Sequence, residues 1–253
     1  MQLQYRAAAA AAFFTQFFYG MIIVMVYHAF YASSTAVQPM SLQQAVTYTW
    51  LGQVTFRLLP WNSDREVLAL VRSGNLAYEL CRPLDVYLIW YCRLVSIRVV
   101  PAMLSGIPLF SIALLLPGSF GATLPVSAAA GAAWAISILL AVLLSCALSN
   151  LATVTTLWTI AGDGMQWVFP GVMLVLSGSI VPLAFFPDGL QRLLRLLPFS
   201  GLVDTPFRFY LGTIQPHEIF SLGLLQLAWT AVFVLIGSRL LAAGMKRVVI
   251  QGG

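Results

Sequence analysis

The sequence predicts an all-α polytopic membrane protein, with six transmembrane helices forming one domain over residues 1–253. Three observations carry that prediction. Hydrophobic residues make up 60% of the chain and charged residues only 8%, against about 25% charged in a soluble domain. With a mean hydropathy of +0.89, too little polar surface remains to cover a globule in water. The few charges also bound uncharged gaps of membrane-crossing length, and the basic residues fall on one side of the topology those gaps define.

A helix crossing a ~30 Å hydrocarbon layer needs roughly 20 apolar residues. Between Arg6 and Arg57 no Asp, Glu, Lys or Arg occurs for 50 residues. That is room for two spans, about 7–31 and 42–59, around the polar stretch Ser33, Ser34, Thr35, Gln38 and Pro39. The Ala-rich run after Arg6 also has the composition of a signal-peptide core, but such cores run only ~7–15 residues. This one continues uncharged through Tyr31, which predicts a retained first span. Arg98 and Asp163 enclose 64 uncharged residues, read as spans 99–116 and 126–148 with a helix-breaking turn at PGSFGATLP, residues 117–125. Asp163 to Asp188 leaves 24 residues, and Glu218 to Arg239 leaves 20, one span each at about 164–186 and 219–238.

An even count places both termini on one face, and the Lys/Arg bias makes that face cytoplasmic. Arg6, Arg57, Arg65, Arg72, Arg82, Arg93, Arg98, Arg239, Lys246 and Arg247 then lie inside, ten of the thirteen basic residues, leaving Arg192, Arg195 and Arg208 outside. The basic isoelectric point is thereby explained by topology, and no nucleic-acid partner is expected. The partner of most of this surface is the lipid of the plasma or inner membrane. Arg93 and Arg98 are expected to snorkel to the inner headgroups, and Trp61, Tyr87, Trp90 and Tyr91 to form an aromatic belt there. Cys81, Cys92 and Cys146 are odd in number and near the membrane or cytoplasm, so no disulfide framework is expected.

Residues 62–98 form the one substantial cytoplasmic excursion. Ser63 and Glu66 fit the S-x-x-E capping box, predicting a short helix with Val67, Leu70 and Val71 on one face. Ser73-Gly74 stops it, and a second turn, 76–81, must end before Pro83. This helix-break-helix elbow presents Arg72, Glu79 and Arg82. It reads either as a docking surface for another protein or as a solvated loop that only orients its neighbours, and spacing alone does not separate the two.

After the fifth span, Pro182, Pro187, Pro198 and Pro206 punctuate an apolar stretch. Leu190, Leu193, Leu194 and Leu197 recur at helical spacing, with Arg192 and Arg195 off that stripe. Short amphipathic helices at or dipping into the outer interface are expected over about 188–212. In span four, the small residues from Ala128 to Ala135 with Gly131 allow close helix packing or simply face lipid.

No nucleotide site is legible, because a P-loop needs G-x-x-x-x-G-K-[ST] and the only lysine is Lys246, between Met245 and Arg247. His28 and His217 lack the clustered partners that a zinc site or a serine nucleophile requires, so no catalytic, cofactor or metal residue is assigned. Asp163, between Gly162 and Gly164, is the candidate for ion coupling. The competing reading is a helix N-terminal acid.

The chain resembles the six-helix membrane subunits of ABC exporters of the second type, in the branch with a cytoplasmic SG-x-L-x-x-E-L-x-R-P-L phrase. Here that phrase is Ser73, Gly74, Leu76, Glu79, Leu80, Arg82, Pro83 and Leu84. The later elements are Ser177-Gly178, Pro182-Leu183 and Phe186-Pro187, then Leu197-Pro198-Phe199, then Pro206 with Tyr210-Leu211-Gly212. The resemblance implies that segment 62–84 is a coupling helix seated in a cytoplasmic ATPase, through Arg72, Gly74, Leu76, Glu79, Leu80, Arg82 and Pro83. It implies external gate helices carrying Pro187, Leu194, Pro198, Phe199, Pro206, Tyr210 and Gly212. It also implies a second permease subunit, and ATP with magnesium bound by the ATPase rather than by this chain. The segment before span one is only MQLQYR, where many relatives have a longer amphipathic helix, so the resemblance does not extend to an N-terminal ATPase contact. An uncharged first pair of outer loops and apolar spans suit an amphiphilic, drug-like or lipid-like cargo. The alternative is an ion-coupled secondary transporter or a non-transporting scaffold.

Overall fold

The computed structural model describes residues 2–60, 64–73, 85–158 and 163–245, and every regular element among them is helical. Helix α1 is Gln2–Ser33 and α2 is Leu42–Thr55, continued by a 3-10 turn over Phe56–Leu58. The short α3, Arg65–Ser73, precedes α4, Val86–Leu115, and α5, Ala128–Thr155. Then come α6, Asp163–Leu176, the small helices α7, Asp188–Leu196, and α8, Asp204–Tyr210, and finally α9, Ile219–Met245. Four segments are long and apolar enough to cross a membrane: Phe13–Ser33, Val86–Leu115, Ala128–Thr155 and Pro216–Met245.

The other two expected spans are shorter. At 1.5 Å per residue, α2 and α6, with 14 residues each, reach about 21 Å. Ser41 starts α2 with a capping box, accepting from Gln44 N while Gln44 Oε1 accepts from Ser41 N. Helix α6 ends at Leu176, ten residues before the expected Phe186. Ser177 N donates to Met173 O, and Ser179 N reaches back to Leu174 O, the six-to-one bond of a Schellman ending. The ending needs a left-handed residue, supplied by Gly178 at φ 83°. The same glycine lets the Tyr48 hydroxyl approach and donate to its carbonyl at 2.9 Å.

One further boundary differs from expectation. Helix α4 begins at Val86 rather than Val99, so Arg93 and Arg98 lie inside it. Counting charges places the start too late because both arginines are partnered, Arg93 by acids of the elbow and Arg98 by hydroxyls of α5. The same shift takes Tyr87 and Trp90 out of the expected aromatic belt. They are buried with Val67, Val154 and Leu241, and Trp61 lies outside the described residues.

Helix α5 is the hub, packing on α9, α8 and α4, while α2 packs on α1 and α4. The Ala-rich start of α5 divides by face. Ala130, Ala133, Ser137 and Ala141 are buried at helical spacing, whereas Ala128, Ala129, Ala132 and Ala135 are exposed. From Ala141 to Val154 almost every residue is buried, as expected of a helix enclosed on all sides.

The 117–125 turn is fastened from two helices. Gln43 Nε2 donates to Gly121 O at 2.8 Å, Trp50 Nε1 to Phe120 O at 2.8 Å, and the Tyr210 hydroxyl to Thr123 O at 2.8 Å. Irregular backbone is tolerated among apolar helices only when its polar groups are satisfied in this way. A Cβ on Gly121 would stand 2.6 Å from Leu116 O and 2.9 Å from Ala113 O, whereas one on Gly189 would meet nothing within 4 Å. Gly121→Ala is therefore expected to cost about 1–3 kcal/mol and lower the melting temperature of the purified protein. Gly189→Ala, in an exposed helix turn, should leave it unchanged or slightly raised.

Candidate functional site

Two clusters at opposite ends of the bundle, and a cleft along it, carry the polar groups. At the elbow end, Asp64 opens α3, its Oδ1 accepting from Glu66 N at 2.9 Å and Val67 N at 3.4 Å. The capping box expected at Ser63 lies outside the described residues, and the acid one position on fills the role. Arg93 Nε donates to Asp64 Oδ2 and its Nη2 to Glu66 Oε2, so α4 grips the first turn of the elbow. This replaces the expected snorkelling of Arg93. Val67 seals the contact from beneath in the cluster around Tyr87 and Trp90.

One and a half turns further along α4, Arg98 is only 6% exposed. Its Nη1 donates to Ser145 Oγ at 3.0 Å and lies 3.7 Å from Cys146 Sγ, and its Nη2 donates to Ser149 Oγ. Ser145 Oγ in turn donates to Leu58 O at 2.5 Å, in the 3-10 turn that ends α2. Snorkelling fails for Arg98 as well, because the guanidinium is enclosed by protein.

At the cap end, α8 is enclosed by protein. Asp204, Thr205, Pro206, Phe207, Phe209 and Tyr210 are all buried, packed on α5. Of the expected gate residues, Leu194, Pro198 and Tyr210 are buried as well, Phe199 is half-buried, and Pro187 and Gly212 are exposed. The stripe expected on α7 divides: Leu194 points in, while Leu190 and Leu193 are 41% and 55% exposed. Asp204 lies 3.8 Å from Arg208, longer than a hydrogen bond. Burial pushes its carboxyl up to about 6, against the opposing pull of Arg208 and Arg195. Burial likewise lowers Arg208, chiefly against the pull of Asp204, so for both partners desolvation outweighs pairing.

Along the bundle, α1, α2 and the end of α6 enclose a cleft of about 340 Å³. Its walls include Gln16, Tyr19, Tyr27, Tyr48, Thr49, Gln53 and Ser179, with no charged residue among the described ones. Gln53 is 8% exposed, and its Oε1 has no hydrogen-bond partner among the described residues.

A family model described as ABC-2 family transporter protein matches residues 17–252, which spans the elbow, the cap and most of the cleft. The chain belongs to the ABC-2 transporter family. No curated protein and no solved structure matches it. Membership and the long apolar helices together make this ABC-2 chain a multi-pass membrane protein.

Of the coupling set expected in this ABC-2 protein, Arg72 occupies the last turn of α3. Gly74, Leu76, Glu79, Leu80, Arg82 and Pro83 lie outside the described residues. Asp163 is the first residue of α6, and its side chain is outside them too. The sequence reading missed Asp64, Gln53 and the Asp204–Arg208 pair, and gave Arg98 a headgroup role in place of its bonds to α5. An i, i+4 acid–base spacing at 204 and 208, and Ser145 with Ser149 one turn apart on the apolar α5, were the available signals.

Two outcomes follow from this geometry. Arg93 is 39% exposed on its side chain, so its ion pairs are worth only ~0.2–1 kcal/mol. Arg93→Ala should hardly move the melting temperature, yet speed amide exchange over residues 64–73 several-fold, as read by hydrogen–deuterium exchange. Asp204 has a folded-state pKa raised from 3.8 to about 6. Its proton-bound form is the one the fold favours, so its stability contribution is full below pH ~4 and is lost as pH rises through ~6. The protein should be about 1 kcal/mol more stable at pH 5 than at pH 7 in denaturation in detergent, and Asp204→Asn should flatten that difference.

Proposed function

We propose that the chain is the permease half of an ATP-driven exporter, crossing the cell membrane six times with both termini in the cytoplasm. Its family membership supports an ABC-type permease subunit, and the missing P-loop assigns the fuel to a separate ATPase. Helices α2 and α6 supply the two shorter crossings, their reach extended by the chain that follows each of them. Six helices do not by themselves enclose a translocation path, so a second permease, identical or homologous, pairs with this one above two ATPase subunits.

The observation that carries the reading is the grip of Arg93 on Asp64 and Glu66. A loop whose task is only to join two spans has no need of a buried cap acid and a cross-helix arginine. An elbow that receives force does, since a lever must be stiff where it meets its arm. In this mechanism, closure of the ATPase dimer pushes the elbow, through Arg72 and the segment from Gly74 to Pro83. The helices carry the motion to the cap, where α7, α8 and the residues from Pro187 to Gly212 shift to release cargo outward or into lipid. The α1–α2–α6 cleft, mostly apolar with a few uncharged polar groups, suits an amphiphilic or lipid-like cargo better than an ion.

Co-purification tests the assembly. An ATPase should come down with this chain, and Glu79→Arg or Arg82→Glu should weaken that association at least several-fold while leaving the melting temperature in place. Transport that persists in ATP-depleted vesicles and is lost on Asp163→Asn would instead establish ion coupling. Neighbouring reading frames encoding an ATPase and a second six-span permease would agree with the proposal.

A further inference from the structure

We infer that Arg98 is the positioning residue that passes motion of the elbow into the helix bundle, by locking α4, α5 and the end of α2 into one mechanical unit. The inference rests on the reading that an ATPase grips the elbow.

Three segments meet at this side chain. Arg98 itself stands about 18 Å along α4 from its first residue. Its guanidinium donates to Ser145 and Ser149, one turn apart on α5. Ser145 passes the connection to Leu58 O, in the turn where α2 gives way to the elbow. The elbow is therefore held at two places: by Arg93 at its first helical turn, and by the Ser145–Arg98 chain at the turn through which it leaves α2. Both holds terminate on α4, five residues apart. The elbow cannot tilt without moving α4, and α4 cannot slide along α5 without breaking charge-assisted bonds between groups buried from solvent.

A guanidinium enclosed by protein in this position is expensive to bury, and neighbouring apolar contacts would hold two helices together at less cost. Bonds of defined direction add something that apolar packing lacks, because they fix the register between helices. Helix α5 then carries the motion away from the elbow, since it also packs along α9 and on α8 in the cap. Coupling between distant sites travels through such packed and hydrogen-bonded networks when they move as units.

The test uses the complete complex with its ATPase in lipid nanodiscs, with hydrogen–deuterium exchange read over residues 64–73 and 188–210 before and after addition of ATP and vanadate. In the wild type both segments should change. In Arg98→Gln the elbow segment should respond as in the wild type, while the response of 188–210 falls roughly threefold or more. Arg98→Lys, which keeps a charge and donors, should restore much of it, and Ser149→Ala should give an intermediate loss without touching the charge. A full-sized cap response in Arg98→Gln overturns the inference. So does loss of the elbow and cap responses together in both Arg98→Gln and Ser149→Ala, which would mark a merely structural role. Failure of the wild type to retain an ATPase would overturn the underlying reading instead, and is visible without any variant.

Discussion

An arginine placed among apolar helices has to find its hydrogen-bond acceptors within the protein, because hydrocarbon offers none. Arg93 and Arg98 meet that demand in different ways, and most of the lower architecture follows from how they do so. Arg93 recruits Asp64 and Glu66, which draws the start of α3 against α4 and gives Val67 a buried seat. Arg98 recruits the hydroxyls of Ser145 and Ser149, which fixes the register of α4 on α5 and, through Leu58, the exit of α2. Removing Arg98 would leave the buried hydroxyls of Ser145 and Ser149 facing an apolar interior, a cost comparable with a lost charged hydrogen bond, whereas the half-exposed Arg93 pairs shape the elbow at little cost in stability.

The same requirement shapes the opposite end. There the chain abandons regular helix over 117–125 and again over 177–187, and backbone groups in these stretches and in the segment that follows are met by side chains from neighbouring helices. Tyr48 reaches Gly178, Trp50 reaches Phe120, Gln226 reaches Gly201, and Trp229 reaches Leu196. These long-range bonds make the cap a set of tethered short pieces rather than a continuous helix. Short pieces joined at prolines and glycines can rearrange with small dihedral changes. Asp204 and Arg208, incompletely paired within this cap, keep its interior less settled than an apolar core would be.

The helical class, the long apolar helices and the punctuated stretch after α6 were legible because composition and charge spacing report directly on solvent. Boundaries were less legible wherever a charge had a partner. The start of α4 was placed thirteen residues late because a charge gap treats every arginine as a membrane edge, and nothing local to Arg93 or Arg98 announces a partner on another helix. The end of α6 was placed late for the opposite reason: Ile180 to Phe186 is apolar enough to continue a span, and the stop lies in the conformation of Gly178 rather than in hydropathy. For α8, an amphipathic pattern of the kind that marks surface helices turned out to face protein on every side. Sequence periodicity shows that a helix has an apolar face but does not say what covers the other one.

Taken together, these features describe a lever without fuel of its own, stiffened at the elbow by ionic contacts and threaded to a segmented cap by α5. The most direct measurement is photo-crosslinking from position 69, exposed on α3, in membranes containing the whole assembly. The account predicts one dominant adduct with a cytosolic nucleotide-hydrolysing subunit, whose yield changes when nucleotide is trapped. Absence of any such adduct, or modification of position 69 by an impermeant reagent applied from the cell exterior, would contradict it.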